Sequence, residues 1–323
     1  MTDTIYIGLL HSGSEETFRR ETQYLIEGLG MMNYWAGEDD LPEGYKQVTI
    51  KPLYANDSPG DLAAHAGAFA ADNDIQVVVA AGGPQSARAA KDLIAGKSIV
   101  FTTVVKPVRL GLVASLAHPG GNLTGMAGRT SELDAARLIM LHRLLPPKPG
   151  KRSIAVVIRK DRPLNEEQYE DLEDAADALR MDLDPYEFGE NDLPQKLQEL
   201  AEQFRARKDR NEPTFDAVLV TADSLFNNRR KAIVDIFNLF KLPAIYQWRE
   251  FADIGGLISY GPSIREAYTS AGVYVGRILD GKPPGEIPVS EPTRKELVIN
   301  LRTADDLGIT VPNDLRDEAI LIS

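Results

Sequence analysis

Residues 100–128 read VFTTVVKPVRLGLVASLAHPGGNLTGMAG, and the fold turns on them. The apolar, β-branched run at 99–103 is too short for a helix and predicts a buried strand. Lys106-Pro107 makes a turn, and the spacing then predicts a helix over 108–117. Pro119-Gly120-Gly121-Asn122 stops it, because four breakers in a row cannot continue a helix and glycine accepts positive φ. A second apolar run, 123–127, follows. The chain is therefore expected to leave one α/β lobe here and enter another, with Lys106 at the mouth of a cleft between them.

Outward from that stretch the same rhythm repeats. Upstream, apolar strands at 4–10, 48–54 and 76–81 alternate with helices at 15–29, 58–71 and 86–95, and 30–44 reads as an irregular acidic loop. Downstream, strands at 153–158, 181–188, 217–220, 244–246 and 257–260 alternate with helices at 131–145, 165–179, 193–208, 225–240 and 263–279. A short helix is expected near 247–252. The tail predicts a strand at 297–300, a short helix at 303–307 and a last strand at 318–322. Continuous apolar strands alternating with helices mean parallel sheets covered on both faces. The expected fold is α/β, two doubly wound parallel-sheet lobes joined by a hinge. Lobe one would hold 1–122 and 252–284, and lobe two 123–251 and 285–323.

Bulk properties narrow the function. A formal net charge of −12 argues against nucleic-acid binding by counterion release. There are no cysteines, so disulfides, thiolate metal sites and cysteine nucleophiles are excluded together. No apolar run reaches the roughly 20 residues that span a membrane. The first residues, MTDTIYIGLL, lack a basic n-region and a cleavage site. A signal removed before residue 1, with a periplasmic location, is the expectation, and a cytoplasmic location the alternative.

Catalytic signatures are missing: no GxSxG, HExxH or P-loop occurs, and the four histidines lack metal-ligand spacing. No enzyme and no cofactor is expected. What recurs is a strand opening into a polar turn and then a helix N-terminus, the place where open parallel sheets hold ligands. This marks Ser12 and Ser14, Gly83, Gln85 and Ser86, Thr103 and Lys106, the turn 160–162, and Asp223 as candidate binding residues, although each turn alone is also an ordinary cap. Tyr246 and Trp248, with Phe251, could wall a planar ligand or fill a seam between lobes.

Four segments together resemble one family: GLVASLAHPGGNLTG at 111–125, LPAIY at 242–246 with REF at 249–251, GGLISYGP at 255–262, and ELVIN at 296–300 through LGITVP at 307–312. They are similar to the ABC-transporter substrate-binding proteins of periplasmic-binding-protein type I fold, including the tryptophan/tyrosine-type binders, over roughly residues 5–323. The resemblance implies a non-enzymatic receptor that closes two lobes around a small solute and presents it to a membrane permease. Asp223 matches the family pattern and is expected to order a ligand amine or hydroxyl. At two positions the chain departs from that pattern. Lys106-Pro107 stands where the family carries Asp-Pro, and Gly128-Arg129-Thr130 where amino-acid binders carry Ser-Asp. Both put a base in place of an acid. With Lys106, Arg129, Lys160, Arg162 and Arg249 expected around the cleft, a carboxylate-bearing or anionic solute follows, aromatic on account of Tyr246 and Trp248. A plain amino acid is the family-based alternative. A cytosolic sensor of the same fold, or an enzyme on a doubly wound fold, are the rival functions.

Overall fold

The computed structural model describes residues 4–37, 39–128, 133–160, 165–189, 192–210 and 214–323. The elements run β1 Ile5–His11, α1 Glu15–Gly30, β2 Tyr34–Trp35, β3 Lys46–Tyr54, α2 Pro59–Ala71, β4 Ile75–Ala81, α3 Pro84–Leu93, β5 Ser98–Val105 and β6 Leu123–Gly128. Next come α4 Asp134–Leu144, β7 Arg152–Arg159, α5 Asn165–Leu179, β8 Met181–Phe188, α6 Leu193–Asp209, β9 Ala217–Val220, α7 Ser224–Asn228 and α8 Arg230–Leu239. The chain ends with β10 Ala244–Tyr246, α9 Arg249–Asp253, β11 Ile258–Pro262, α10 Ile264–Leu279, β12 Lys295–Asn300, α11 Leu301–Asp306, α12 Asn313–Glu318 and β13 Ile320–Ile322.

Two compact units result. The first holds residues 1–129 and 263–294, and the second 130–262 and 295–323. The first unit's sheet has the order β2-β3-β1-β4-β5-β6, with every pair parallel. The chain leaves β1 toward β3, then returns past it to β4. The β1/β4 gap is therefore the point where the winding reverses. Helix α10 packs on α1 and lies along β4, β5 and β6, while α2 packs on α3. Val77 to Ala81 on β4 are at most 1% exposed, which explains why this strand reads as an unbroken apolar run.

The second unit's sheet has the order β13-β12-β11-β10-β9-β7-β8. All its pairs are parallel except β11 with β12, which run antiparallel from Ile258↔Ile299 to Pro262↔Lys295. Here the winding reverses between β7 and β9. Its core gathers Leu138, Leu141, Ile154, Val156, Leu219, Ile245 and Ile299, all fully buried.

Several expectations need correction. Residues 108–117 are turns, not a helix. Gly111 sits at φ +65, and its N–H reaches the Val108 carbonyl at 2.9 Å while Leu112 N–H reaches Pro107 at 2.9 Å. The segment folds inward so that Leu112 and Val113 join the core. The expected unit boundaries differ from those observed at all three crossings. Strand β6, expected in the second lobe, pairs with β5 and completes the first sheet. Residues 252–262 stay in the second unit because β11 pairs with β10. Residues 285–294 stay in the first, where Thr124 Oγ1 donates to the Ile287 carbonyl (2.7 Å) and Ala127 N–H to the Ser290 carbonyl (2.8 Å). The helix expected over 225–240 breaks at Arg229 into α7 and α8, and the loop 30–44 contains the short strand β2. Helix α12 was not anticipated.

Candidate functional site

Every strand in the first unit is parallel, so β1, β4 and β5 end along one edge. The sequence-predicted residues of this unit gather there. β1 ends in His11, 1% exposed, whose ring lies 3.9 Å from that of Phe18 and 5.8 Å from that of Tyr54. The Gly13 N–H donates to His11 Nδ1 at 2.9 Å, so Nδ1 offers a lone pair and the ring proton sits on Nε2. Ser12 donates its hydroxyl to the Gly82 carbonyl at 2.8 Å, a strap across the point where the winding reverses. Ser12 therefore holds β1 to β4 rather than pointing its proton at a ligand. Ser14 stands just before α1, and its carbonyl accepts the Phe18 N–H at 3.2 Å.

The turn after β4 is tight. Gly82 and Gly83 have φ of +85 and +112, and a Cβ on Gly82 would come within 2.3 Å of Ser12 Oγ. Gly83 caps α3 without a side-chain hydrogen bond. Gln85, half-buried, and Ser86, fully buried, occupy the first turn of α3, and Ser86 Oγ has no hydrogen-bond partner. Such a buried hydroxyl costs about 1–3 kcal/mol if nothing satisfies it.

β5 ends in a bulge. Phe101 pairs with Gly125 and Val104 with Ala127, so Thr102 and Thr103 together oppose Met126. Thr102 Oγ1 is buried without a partner. Thr103 has φ +51 and Lys106 φ +49. For a β-branched residue this is an outlier, and such conformations cost of order 1–3 kcal/mol and cluster at binding sites.

In the second unit β7, β9 and β10 end along one edge. Asp223, 7% exposed, caps α7 by accepting the Leu225 N–H at 2.8 Å. The capping geometry anticipated from sequence as its ordinary role is thus present. Thr221 Oγ1 donates to the Val157 carbonyl at 2.8 Å, so a hydroxyl straps β9 to β7 where this sheet's winding reverses, as Ser12 does in the first unit. Tyr246 is 1% exposed and stacks on Phe251 at 4.7 Å, and burial pushes its phenol pKa well up. It fills the core rather than forming an open wall. Trp248 is 7% exposed, and its indole Nε1 is buried without a partner, as is Gln247 Oε1 beside it. Gln247 Nε2 donates to the Asp223 carbonyl at 3.4 Å, linking the ends of β9 and β10.

The expected collection of bases is only partly present. Lys106 is half-buried at the end of β5, Lys160 is exposed, and Arg249 is engaged with Asp253 one turn along α9 (3.3 Å). Arg129 and Arg162 lie outside the described residues. One cation was missed. Arg159, the last residue of β7, is 6% exposed and lies 3.9 Å from Asp223. Its signal was an arginine that ends the apolar run at 154–158.

Comparison with known proteins adds the following. The family model described as ABC transporter substrate binding protein matches residues 25–321. A tyrosine-binding protein of Clostridioides difficile (strain R20291) is 27% identical over 228 residues, 69% of this chain and 61% of that protein, so the chain spans under two thirds of that relative's length. An ABC domain from Streptococcus pneumonia, solved in complex with L-Trp, has a TM-score of 0.77 and 19% identity, with 98% of this chain and 100% of that one covered. A conserved domain protein from Vibrio cholerae has a TM-score of 0.77 and 22% identity, each chain covered fully. A ligand-free, open substrate-binding protein from Clostridium difficile has a TM-score of 0.63 and 19% identity, with 98% and 99% covered. At these identities the structures share the fold.

Proposed function

The chain belongs to the ABC transporter substrate-binding protein family, and from that premise we propose that it receives a small carboxylate-bearing solute, aromatic or amino-acid-like, for one importer. Membership implies a small-molecule ligand, a membrane permease as partner and an extracytoplasmic place of work. Closure of the two units on the solute is part of the reading.

The observation that carries it is the strand-end row of the first unit. Ser86 Oγ in the first turn of α3, and Thr102 Oγ1 next to the strained Thr103 at the end of β5, are buried without partners. Unmet hydrogen bonds and stored backbone strain are tolerated where a ligand completes them. The names of the tyrosine-binding relative and of the L-Trp complex support an aromatic amino-acid-like solute.

The test is mass spectrometry of small molecules released on denaturing the protein purified at neutral pH, followed by titration calorimetry with whatever is found. The expected result is one bound small carboxylate of micromolar or tighter affinity that Ser86→Ala or Thr102→Val weakens at least tenfold. A solute without a carboxylate, or variants that bind it as tightly as the parent, would reject the assignment of this row.

A further inference from the structure

We propose that Arg88 and Lys91 are positioning residues for the solute: from α3 they clamp the turn after β5 and so hold the Thr102 hydroxyl where a ligand meets it. The inference rests on the receptor reading above and deepens it, giving two exposed cations the task of presetting the first unit's strand-end row.

The argument starts from what does not hold the end of β5. Its ladder with β4 stops at Ala80↔Phe101. Beyond Phe101 the paired neighbour is β6 alone, across the bulge at residues 102 and 103. Thr103 lies at φ +51 and Lys106 at φ +49. Residues with a Cβ keep such conformations only where the surroundings over-determine them. On the β4 side those surroundings are not a strand.

Helix α3 takes that place. Arg88 and Lys91 stand one turn apart on one face of it, both exposed. Arg88 Nη2 donates to the Leu110 carbonyl at 2.5 Å, and Lys91 Nζ donates to the Gly111 carbonyl. Charged donors make the stronger hydrogen bonds. No carboxylate competes for them, since among the described residues neither cation has an ion pair. The inner face of α3 grips the same segment: Ala87 and Ala90, fully buried, share a core cluster with Leu112 and Val113. The segment is also closed on itself. The Leu110 N–H donates to the Lys106 carbonyl at 3.1 Å and the Leu112 N–H to the Pro107 carbonyl at 2.9 Å. What fixes residues 110–113 therefore fixes 106 and 107, and through them the strained end of β5. The same helix carries Ser86 in its first turn, so the clamp sets the Ser86 and Thr102 hydroxyls relative to each other. A preset row spends less of the binding energy on ordering than a loose one.

The experiment removes both charged heads and keeps apolar stems of good helix propensity, in the double variant Arg88→Met/Lys91→Met of the full chain. The pair Arg88→Lys/Lys91→Arg, which retains both donors, is the conservative control. The probes are L-tyrosine, 3-(4-hydroxyphenyl)propionate and any solute released on denaturing the purified protein. In the methionine variant, hydrogen exchange should speed up at least tenfold at the Leu110 and Leu112 amides and stay unchanged at Val77 to Ala81 of β4. Affinity for the tightest-binding probe, measured by calorimetry, should fall at least fivefold, and the conservative pair should recover both readings. Either single methionine variant should move them by a smaller factor. A clamp that merely stabilised the fold would not change the weight of Thr102. Thr102→Val should weaken binding at least tenfold in the parent and less than threefold in the methionine variant. Unchanged exchange at Leu110 and Leu112, unchanged affinity, or an equal cost of Thr102→Val in both backgrounds overturns the inference while leaving the receptor reading intact. A parent protein that binds no probe and releases no solute rejects both.

Discussion

Glu266 shows how one side chain closes a chain crossing. It stands in the first turn of α10, whose cap Ser263 accepts the Glu266 N–H at 3.3 Å. Its carboxylate accepts the Thr293 N–H, the Thr293 hydroxyl and the Arg294 N–H, each at 2.9 Å, and Ser263 N–H donates to the Arg294 carbonyl at 3.0 Å. Desolvation opposes the charge, yet these hydrogen bonds outweigh it and hold the carboxyl below its ordinary range. A depressed carboxyl pKa contributes stability that is fully present above the unfolded value of about 4.3 and is lost as pH falls through the folded value. Glu266→Gln should therefore lower the melting temperature at pH 7 by about 2–4 °C, corresponding to about 1 kcal/mol for a part-exposed charged acceptor. The gap to the parent should stay constant above the unfolded value of about 4.3 and shrink as pH falls through the depressed folded value. A series of melts from pH 7 into acid decides it; a gap that does not shrink at any pH at which the parent still folds would mean the carboxylate's charge is not the source.

At the scale of elements, the segment after β5 offers the sharpest contrast between propensity and structure. Residues 108–117 carry a helical pattern, and in a helix Gly111→Ala would stabilise by about 0.5–1 kcal/mol. With Gly111 at φ +65 the same change forces a side chain into the left-handed region, which costs about 1–2 kcal/mol. The variant should melt lower than the parent by several degrees; a higher melting temperature would restore the helix. Tertiary packing overrides propensity here because Leu112 and Val113 gain more by entering the first unit's core than by facing outward on a helix. A similar preference places β6. Its apolar run is legible in the sequence, but whether it pairs with β5 or starts a new sheet depends on which neighbour offers an edge.

For the whole molecule, the chain passes between the units three times, at 129/130, 262/263 and 294/295, so each unit is assembled from two separate stretches. If the units close on a solute, binding should lower the radius of gyration measured by small-angle scattering. It should also raise the melting temperature by mass action, about 2.7 kcal/mol of added stability at a hundredfold excess over Kd. An unchanged radius with a saturating, calorimetrically verified ligand would remove closure from the proposal while leaving binding in place.

Apolar runs, breakers and caps act within a few residues, and these the sequence determined alone. The buried strands β1, β4, β7 and β9 are examples, as are the starts of the helices near residues 58 and 263. So is the candidate row at the strand ends, because a parallel α/β rhythm places those turns on one edge whatever the details. Tertiary structure decided what depends on distant partners. It set Arg159 beside Asp223 across 64 residues of chain and turned Ser12 into a strap to Gly82. It also bent Thr103 into positive φ at a bulge and left the hydroxyls of Ser86 and Thr102 without partners. Periodicity records which face of an element is buried, while the identity of the group it meets there is set by packing against elements far away in sequence.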